Sequence, residues 1–485
     1  MRSHTSTKRR SSNRRRVLLT GATGNWGRAT LRELREYPAL DVVAFALPGD
    51  GDRAVLDRFA DMPNLSVFWG DLANYGDVAR AVQDVDVILH VGAVVSPLAD
   101  ERPSLARRVN IGSMQNIVRA VRALSDPGAV GVVGVGSVAQ TGDRQAPTHW
   151  GRVGDPLRVS QFDEYGQTKV IAERLLVESG LPKWAWLRQT GIFHPGMLEI
   201  RDPILTHSVL NGVMEWVTAE DSARLLAGIA SPDLPHEFWG GIYNIGGGEQ
   251  WRLTNWQLQE MIGGALGVKD VRAWYERNWF ATRNFHGHWY SDSDRLEELV
   301  PFRRDTIESA LARATASLPP VVRSAGRVPS WIVKNLVMRP LAGRRRGTLH
   351  ALRTNDQEAI AAHFGSHEEW RDIGDWATFE TPDPPREPRL IGHGYDESKP
   401  SAEWGAPDYV AAAAFRGGAL LSAEVRTGDL STPLIWRCAF DHVFAASPRL
   451  VLVAGHWCPD CVRDSAGYRR QAERNPFLAQ VELSA

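Results

Sequence analysis

The segment from Val17 to Arg28 constrains the fold of this 485-residue chain more than any other stretch. It begins with the apolar run Val17–Leu19, which predicts a buried parallel strand. Gly21, Gly24 and Gly27 follow at regular spacing, and a helical pattern starts after them. Glycines let a backbone turn tightly and approach a pyrophosphate, whose charge is stabilised by the free N–H groups of a helix N-terminus. The alternative is an ordinary strand-to-helix connection, and the context on both sides favours a dinucleotide site.

Composition narrows the class of protein. The length predicts roughly two or three domains, and the net charge of -1 disfavours a nucleic-acid binder or a membrane-surface protein. No apolar run approaches the roughly 18 residues that span a bilayer. Residues 1–16 form a basic tail that we expect to be disordered, without the apolar core of a secretory signal. With only three cysteines, the chain is expected to be cytoplasmic and to lack a disulfide framework.

The end of the second predicted strand, Asp41 to Leu47, bears on the cofactor. An acidic residue there would hold the ribose 2′-hydroxyl of NAD. The sequence has Ala46–Pro48 instead, and Arg28 and Arg53 could face a 2′-phosphate. NADP is therefore slightly favoured over NAD.

A serine, a tyrosine and a lysine form the candidate catalytic group. Ser137 follows the predicted strand Val130–Val135, and Tyr165 and Lys169 are four residues apart on one helical face. A phenol is a poor base at neutral pH, and we expect the Lys169 ammonium to lower the pKa of Tyr165. Ser137 would hold the substrate oxygen while Tyr165 moves its proton and the nicotinamide moves a hydride.

These motifs and their order resemble the extended (atypical) short-chain dehydrogenases/reductases, an NAD-dependent epimerase/dehydratase-like family. The resemblance runs from Val17 to Leu318 and implies an α/β fold, a Rossmann-type doubly wound parallel sheet with a small substrate-side subdomain. The segments that carry it, besides those above, are Gly70–Leu72, His90–Ala93, Val109–Gly112, Trp186–Phe193, Trp216–Asp221 and Tyr243–Gly247.

The resemblance also implies roles for individual residues. It adds Asn110 to Ser137, Tyr165 and Lys169 as a residue that supports the active site, and it assigns the adenine amino group to Asp71. For His90 a packed or capping role is favoured over ligand contact. The implied cofactor contacts are Gly21, Thr23, Gly24, Asn25, Trp26, Gly27, Asp71, Leu72, His90, Gly92, Ala93, Tyr165, Lys169, Thr190 and Ile192.

Three departures from the family pattern bear on the substrate. Gly191 stands where nucleotide-sugar enzymes carry Asn, Thr141–Gly142 replaces Tyr-Gly, and Val138–Ala139 replaces the acidic pair of the dehydratases. A dehydratase is therefore disfavoured and a nucleotide-sugar epimerase is doubtful. The substrate side is instead aromatic, and its rings either line an apolar pocket or form a core: Trp274, Tyr275, Trp279, Phe280, Phe285, Trp289 and Tyr290.

Beyond residue 318 we expect a helical connector and proline-rich linker (319–390) and a C-terminal module (391–485). The module contains a candidate zinc site made of Cys438, His442, Cys458 and Cys461. Two close ligand pairs separated by a loop are typical of a closed, structural tetrahedral site. The stretch resembles small treble-clef or zinc-ribbon modules, with Asp441 in place of the usual glycine; His456 is a less favoured alternative ligand.

Three functions remain in competition. The leading hypothesis is an NAD(P)-dependent oxidoreductase acting on a carbonyl or secondary alcohol of a small, apolar or aromatic molecule. The second is an epimerase that retains its cofactor. The third is a non-enzymatic dinucleotide-sensing scaffold whose zinc module contacts other molecules, and the intact Ser137, Tyr165 and Lys169 argue against it. No membrane partner is expected, a homodimer is left open, and a nucleic-acid contact through the tail or the zinc module is disfavoured.

Overall fold

The computed structural model describes residues 14–199, 202–323 and 325–483. Most of the expected basic tail, residues 1–13, lies outside the described residues. The first strand begins at Arg15, earlier than the expected boundary after residue 16, because Arg15 and Arg16 pair with Leu40 and Asp41 of the second strand.

The strands alternate with helices through the first two thirds of the chain and then become sparse. In chain order they are β1 (Arg15–Thr20), β2 (Leu40–Ala46), β3 (Leu65–Trp69), β4 (Val87–His90), β5 (Gly131–Ser137), β6 (Trp150–Gly151), β7 (Trp184–Gln189), β8 (Ile192–Phe193), β9 (Val213–Glu215), β10 (Val217–Thr218), β11 (Gly241–Ile245), β12 (Arg252–Thr254), β13 (Trp289–Tyr290), β14 (Ala419–Leu420), β15 (Leu434–Arg437) and β16 (Val443–Ala446).

The α-helices up to residue 318 are α1 (Asn25–Leu34), α2 (Asp50–Leu56), α3 (Tyr75–Ala81), α4 (Leu98–Glu101), α5 (Pro103–Ala106), α6 (Gly112–Arg122), α7 (Glu164–Val177), α8 (Ala219–Ala230), α9 (Asn255–Ala265), α10 (Asp294–Leu299) and α11 (Ile307–Ser317). Those that follow are α12 (Pro320–Arg323), α13 (Ser330–Ile332), α14 (Arg339–Ala342), α15 (Thr348–Thr354), α16 (Gln357–Phe364), α17 (His367–Asp372), α18 (Ala406–Phe415), α19 (Pro459–Arg463), α20 (Tyr468–Ala472) and α21 (Pro476–Glu482).

The main sheet has seven parallel strands in the order β11-β7-β5-β4-β1-β2-β3. This order confirms the predicted doubly wound α/β fold, in which the strand order reverses beside β1. The parallel register aligns Thr20 with His90 and Ser137 with Gln189, so the carboxyl ends of these strands meet at one edge. Ligands of open α/β sheets bind at such an edge.

The strands are apolar because both faces of the sheet are covered. On one face α1 and α8 pack over Val17, Leu19 and Val87. On the other face α3, α6 and α7 pack over Leu18, Ile88 and neighbouring strands.

A third core, rich in aromatic side chains, lies on the substrate side of the sheet. The connector contributes to this core through Val333, Met338 and Leu341. The proline-rich run also lies against the first domain, because the Pro385 carbonyl accepts hydrogen bonds from His149 Nε2 at 2.9 Å and Trp150 Nε1 at 3.1 Å. The connector therefore packs onto the first domain.

The C-terminal module contains the antiparallel sheet β14-β15-β16 and several short helices. Its buried Trp436, Leu450 and Trp457 belong to the same hydrophobic cluster as Leu176 and Trp186 of the first domain. The module and the α7 face of the sheet therefore share a core. Among the residues that the structure describes, no helix is both long and apolar enough to cross a membrane.

Candidate functional site

The three glycines after β1 have different structural reasons to be glycine. Gly21 has a φ of +68°, and a Cβ there would lie 2.6 Å from the α-carbon of Gly92. A Cβ on Gly27 would lie 2.1 Å from the carbonyl oxygen of Gly21. At Gly24 a Cβ would meet only that same oxygen, at an ordinary 3.4 Å. Gly24 thus leaves open space that the fold does not use, as expected where a backbone approaches a pyrophosphate.

The N-terminus of α1 faces the same space. Gly24 is its N-cap residue, and no side chain among the described residues caps the helix there. The first N–H groups and the positive end of the helix dipole are therefore available to an anion. The glycine turn after β1 and the N-terminus of α1 together fit the pyrophosphate of a dinucleotide.

The loop after β4 is fixed by His90, which is only 2% exposed. Its Nδ1 is hydrogen-bonded to Thr20 Oγ1 at 2.8 Å and its Nε2 to Ser113 Oγ at 3.0 Å. Thr20 Oγ1 in turn accepts from the Gly92 backbone N–H. Burial, with the nearby Lys169 charge, lowers the pKa of His90 to about 3, so the ring is neutral. The ring holds the loop and has both nitrogens occupied by protein groups.

The structure brings Ser137, Tyr165 and Lys169 together at the carboxyl edge. Ser137 ends β5, and Tyr165 and Lys169 lie in the first turns of α7. Lys169 Nζ lies 5.7 Å from the centre of the Tyr165 ring and donates a 2.7 Å hydrogen bond to the Val135 carbonyl. Both side chains of the predicted Tyr-Lys pair therefore reach the strand that ends in Ser137.

The ionisation of this group differs from the expectation for Tyr165. Burial raises the pKa of Tyr165, Asp163 raises it further, and a hydrogen bond with Ser137 opposes both. The lowering of the Tyr165 pKa expected from Lys169 is not found, and burial, which disfavours the charged phenolate, dominates the shift. Burial also lowers the pKa of Lys169, to about 8. At neutral pH the phenol is a proton donor, which suits the protonation of a carbonyl oxygen as it is reduced.

Asn110 supports this arrangement from a π-helical turn, Arg107–Ile111. Its Oδ1 accepts from the Val94 N–H at 2.7 Å, and its Nδ2 donates to the Val94 carbonyl and to Thr168 Oγ1, both at 2.9 Å. The loop after β4 is thereby tied to α7, one residue before Lys169. Asn110 is buried, and these bonds use its amide group on protein atoms.

The remaining predicted cofactor residues lie on the same edge of the sheet. Thr190, Trp26 and Gly92 are buried, whereas others are half-buried or exposed and accessible to a ligand: Thr23, Asn25, Asp71, Leu72, Ala93 and Ile192. Asp71 lies in an exposed turn, where its Oδ1 accepts from the Ala73 N–H at 2.8 Å.

A cleft of about 900 Å³ opens beside the start of α7. Its walls include Asp163 of the first domain, His207 of the substrate side, Arg346 of the connector and Arg463 of the C-terminal module. Arg346 binds the loop after β4, donating to the Pro97 carbonyl and to Asp100. The connector therefore forms a wall of this cleft.

Most of the substrate-side aromatics are core. Trp274, Tyr275, Trp279, Phe280, Trp289 and Tyr290 are each at most 4% exposed. Of the predicted set only Phe285 lines the cleft. The core interpretation therefore applies to the other six, because their bulk is needed to fill a small subdomain.

Cys438, His442, Cys458 and Cys461 converge in the C-terminal module, with ligand atoms within 4.8 Å of one another. Cys438 Sγ lies 3.8 Å from Cys461 Sγ, and His442 Nδ1 lies 3.4 Å from Cys458 Sγ and 3.5 Å from Cys461 Sγ. Zinc–sulfur and zinc–nitrogen bonds of about 2.3 and 2.0 Å place tetrahedral ligands about 3.8 Å apart for two sulfurs and about 3.5 Å for sulfur and nitrogen. The four residues therefore fit one closed tetrahedral zinc site.

The first two candidate ligands, Cys438 and His442, lie in the turn between β15 and β16. The Cys438 N–H donates to the His442 carbonyl at 3.0 Å, and the Phe440 N–H points at Cys438 Sγ at 3.4 Å. Asp441 has a φ of +61°, the left-handed region in which glycine is usual. His456 is not part of this cluster, since its buried Nε2 lies 3.4 Å from Glu173 Oε1.

Sequence reasoning missed a buried polar cluster beneath the active site. It contains Gln140, Glu173 and Arg188 of the first domain and His456 of the module, each at most 3% exposed. A signal existed, because Glu173 lies four residues after Lys169 and hence on the same face of α7. Its partners come from distant segments, which spacing alone does not indicate.

The doubly wound sheet, the open glycine turn and the Ser, Tyr and Lys group at its carboxyl edge are the features that carry the resemblance to the extended short-chain dehydrogenases/reductases. The model of the NAD dependent epimerase/dehydratase family matches residues 17–181. This match confirms the resemblance predicted from the motifs and covers about a third of the chain.

Curated relatives match parts of the chain. UDP-glucose 4-epimerase of Rickettsia bellii is 31% identical over 108 residues, which are 21% of this chain and 32% of that protein. A 3 beta-hydroxysteroid dehydrogenase/Delta 5-->4-isomerase of Mycobacterium tuberculosis is 28% identical over 177 residues, 34% of this chain and 45% of that protein. The chain thus spans about a third of the first relative's length and less than half of the second's.

A solved structure has the same fold. The dTDP-glucose 4,6-dehydratase of Bacillus anthracis str. Ames, in complex with NAD, superposes with a TM-score of 0.50 at 17% identity, covering 67% of this chain and 99% of that one. At this identity the likeness concerns the fold alone.

Proposed function

We propose that this protein is an NAD(P)-dependent oxidoreductase that acts on the carbonyl or secondary alcohol of a small molecule. The observation that carries the proposal is the convergence of Ser137, Tyr165 and Lys169 at the strand edge that Gly24 leaves open. A scaffold that only senses a dinucleotide has no need of this group.

When bound, the nicotinamide would supply or accept the hydride. Ser137 would hold the substrate oxygen, and Tyr165, kept protonated by its raised pKa, would donate a proton to that oxygen during reduction. Lys169 would place a positive charge beside the phenol and stabilise the phenolate left after the transfer. With its pKa lowered to about 8, Lys169 carries this charge at neutral pH.

NADP is the proposed cofactor, with NAD as the alternative. β2 ends at Ala46, and the exposed Leu47 follows where an acid would hold a 2′-hydroxyl. Arg53 lies 4.5 Å over the ring of Trp69 at the end of β3, close to the same strand ends. An arginine held there would favour a 2′-phosphate.

We do not favour a nucleotide-sugar substrate. A Cβ at Gly191 would lie 2.5 Å from Met214 Sδ and 2.6 Å from the ring of Trp216. An asparagine at this position, which nucleotide-sugar enzymes carry, has no room here. A small, apolar or aromatic carbonyl compound reaching the site from the cleft beside Phe285 fits better. We further propose a structural zinc at the Cys438 cluster.

The test is NADPH- and NADH-dependent turnover of a panel of aromatic and aliphatic ketones by the full-length protein, compared with its Tyr165→Phe variant. The variant keeps the ring and removes the proton, so we expect a loss of about 10²–10⁴-fold in kcat with little change in cofactor affinity. Racemisation of a secondary alcohol without net NADPH consumption would instead establish the epimerase. Turnover by Tyr165→Phe within threefold of wild type would exclude Tyr165 as the proton donor.

A further inference from the structure

A buried chain of polar contacts connects Ser137 to the C-terminal module. The Ser137 backbone N–H donates to Gln140 Oε1 at 2.9 Å, and Gln140 Nε2 donates to Glu173 Oε2 at 2.5 Å. Gln140 and Glu173 are both fully buried. The backbone of Ser137 is therefore held by a side chain that is itself held by a carboxylate.

Glu173 has an unusually complete set of partners. Arg188 donates to both of its oxygens, Nη2 to Oε1 at 2.6 Å and Nε to Oε2 at 3.1 Å. Burial alone would raise the pKa of Glu173, but Arg188 and then His456 outweigh this and lower it to about 2. Glu173 is thus a fixed anion at any ordinary pH. A buried carboxylate with its partners in place resists displacement, because an uncompensated charge there is costly.

The C-terminal module holds the far end of the chain. Arg188 Nη2 also donates to the Ala454 carbonyl at 2.6 Å, and His456 Nε2 lies 3.4 Å from Glu173 Oε1. His456 stands two residues before Cys458, one of the four clustered ligands. The segment that places Ala454 and His456 against the first domain therefore leads directly into the proposed zinc site.

We infer that the C-terminal module completes the active site, with Gln140, Glu173 and Arg188 acting as positioning residues that transmit its docking to Ser137. The inference rests on the proposed function for the role of Ser137. Loss of the module contact, or of zinc at Cys458, would leave the cofactor site intact and displace the Ser137 backbone. A misplacement of about 1 Å at a reacting group costs about 100-fold in rate.

The interface offers a matched control. Glu178, the residue that follows the last turn of α7, accepts hydrogen bonds from both the backbone and the side chain of Ser447 in the module. Like Glu173, it is a carboxylate that contacts the module, but these hydrogen bonds lead to Ser447 and not toward Ser137. Glu178→Gln should therefore weaken docking without reaching the active site.

The first measurement needs no substrate. In the full-length protein, amide hydrogen exchange of the peptide that spans Ser137 and Gln140 should accelerate at least tenfold in Glu173→Gln and His456→Gln, and stay within twofold in Glu178→Gln. Treatment with a zinc chelator should accelerate the same peptide in wild type. Equal protection in wild type, Glu173→Gln and His456→Gln would overturn the inference.

The second measurement uses the best ketone found with wild type. In Glu173→Gln and His456→Gln we expect kcat to fall at least tenfold while the NADPH dissociation constant stays within twofold. The Glu178→Gln variant is measured at a temperature at which its unfolding free energy is as low as that of Glu173→Gln. Under that condition it should keep the kcat of wild type. If kcat and cofactor affinity fall in parallel in all three variants, the polar contacts contribute only to the general stability of the protein and do not position Ser137. If wild type turns over no ketone, the proposed function fails, and the exchange experiment still decides the coupling.

Discussion

Lys169 Nζ donates a 2.7 Å hydrogen bond to the carbonyl of Val135, two residues before Ser137 in β5. Lys169 is only 3% exposed, and burial lowers its pKa from the usual 10.5 to about 8. The fold therefore carries a charge that it does not need for packing. Such a cost is typical of groups retained for chemistry.

Replacing this lysine should raise stability and remove function. A folded-state pKa below the unfolded value means that the charged form is disfavoured in the fold, so the cost is complete below about pH 8 and is relieved between about pH 8 and 10.5. Lys169→Met should thus raise the unfolding free energy at pH 7 by on the order of 1–3 kcal/mol and abolish turnover. Urea unfolding at pH 7 and pH 10 tests this, and a gain that persists at pH 10 would contradict the electrostatic origin.

The three glycines can be separated by experiment. Gly24→Val introduces a side chain into space that the fold does not use, so the melting temperature should change little while NADPH affinity falls at least tenfold, about 1.4 kcal/mol. Gly27→Val is the contrasting variant, because its Cβ would lie 2.1 Å from a backbone oxygen and should destabilise the whole domain. Calorimetric titration with NADPH and NADH measures the affinities. Unchanged binding by Gly24→Val would remove the dinucleotide assignment.

The sequence predicted much of this structure, because its strongest signals are local. The glycine turn, the apolar strands and the spacing of Tyr165 and Lys169 depend on residues that are close together in the chain. The packing of the C-terminal module was not predictable in this way. The hydrogen bond from Arg188 to the Ala454 carbonyl joins residues that are far apart in the chain, and no pattern in the sequence predicts it.

The direction of the Tyr165 pKa shift was also predicted wrongly from the sequence. From spacing alone Lys169 is a neighbour that lowers the pKa, but the depth of burial that raises it depends on every segment packed around α7. The aromatic residues near Trp279 were ambiguous for the same reason. A buried ring and a ring in a pocket have the same sequence pattern, and only the packing distinguishes them.

Asp441 offers a test of the zinc turn. Its φ of +61° lies in the left-handed region, where a residue with a side chain is strained and glycine is not. Asp441→Gly should stabilise the module by up to about 1 kcal/mol and slow zinc loss to a chelator, whereas Asp441→Asn should be nearly neutral, since asparagine tolerates this conformation. Competition with a chromogenic chelator measures zinc release. Faster release from Asp441→Gly would show that the aspartate stabilises the turn by another route.

The shared core should make the C-terminal module and the first domain unfold together. Gly455 of the module packs so closely on the first domain that a Cβ there would lie 2.1 Å from the Asp155 carbonyl oxygen. Gly455→Ala should therefore lower the unfolding free energy by at least about 2 kcal/mol while the protein still binds its zinc. Calorimetry with metal analysis tests this. Two separate melting transitions in wild type would mean that the module and the first domain unfold independently.

The contact between His393 and the first domain should make docking of the module depend on pH. His393 Nε2 lies 2.9 Å from Asp155 Oδ1, and Nδ1 lies 2.6 Å from Glu397 Oε1. Arg144 and Arg152 also face Asp155. Burial alone would lower the pKa of His393, but the two carboxylates outweigh it and raise the pKa. The charged ring is therefore favoured in the folded state.

A raised folded-state pKa contributes stability that is complete below the unfolded value of about 6.5 and is lost as the pH rises through the folded value. We expect wild type to lose unfolding free energy relative to His393→Gln as the pH increases from about 6 to 9. The difference between the two proteins is the quantity to measure by urea unfolding, because other buried histidines with lowered pKa values act in the opposite direction. A difference that stays flat, or grows with pH, would show that His393 is not the charged partner of Asp155 in the folded protein.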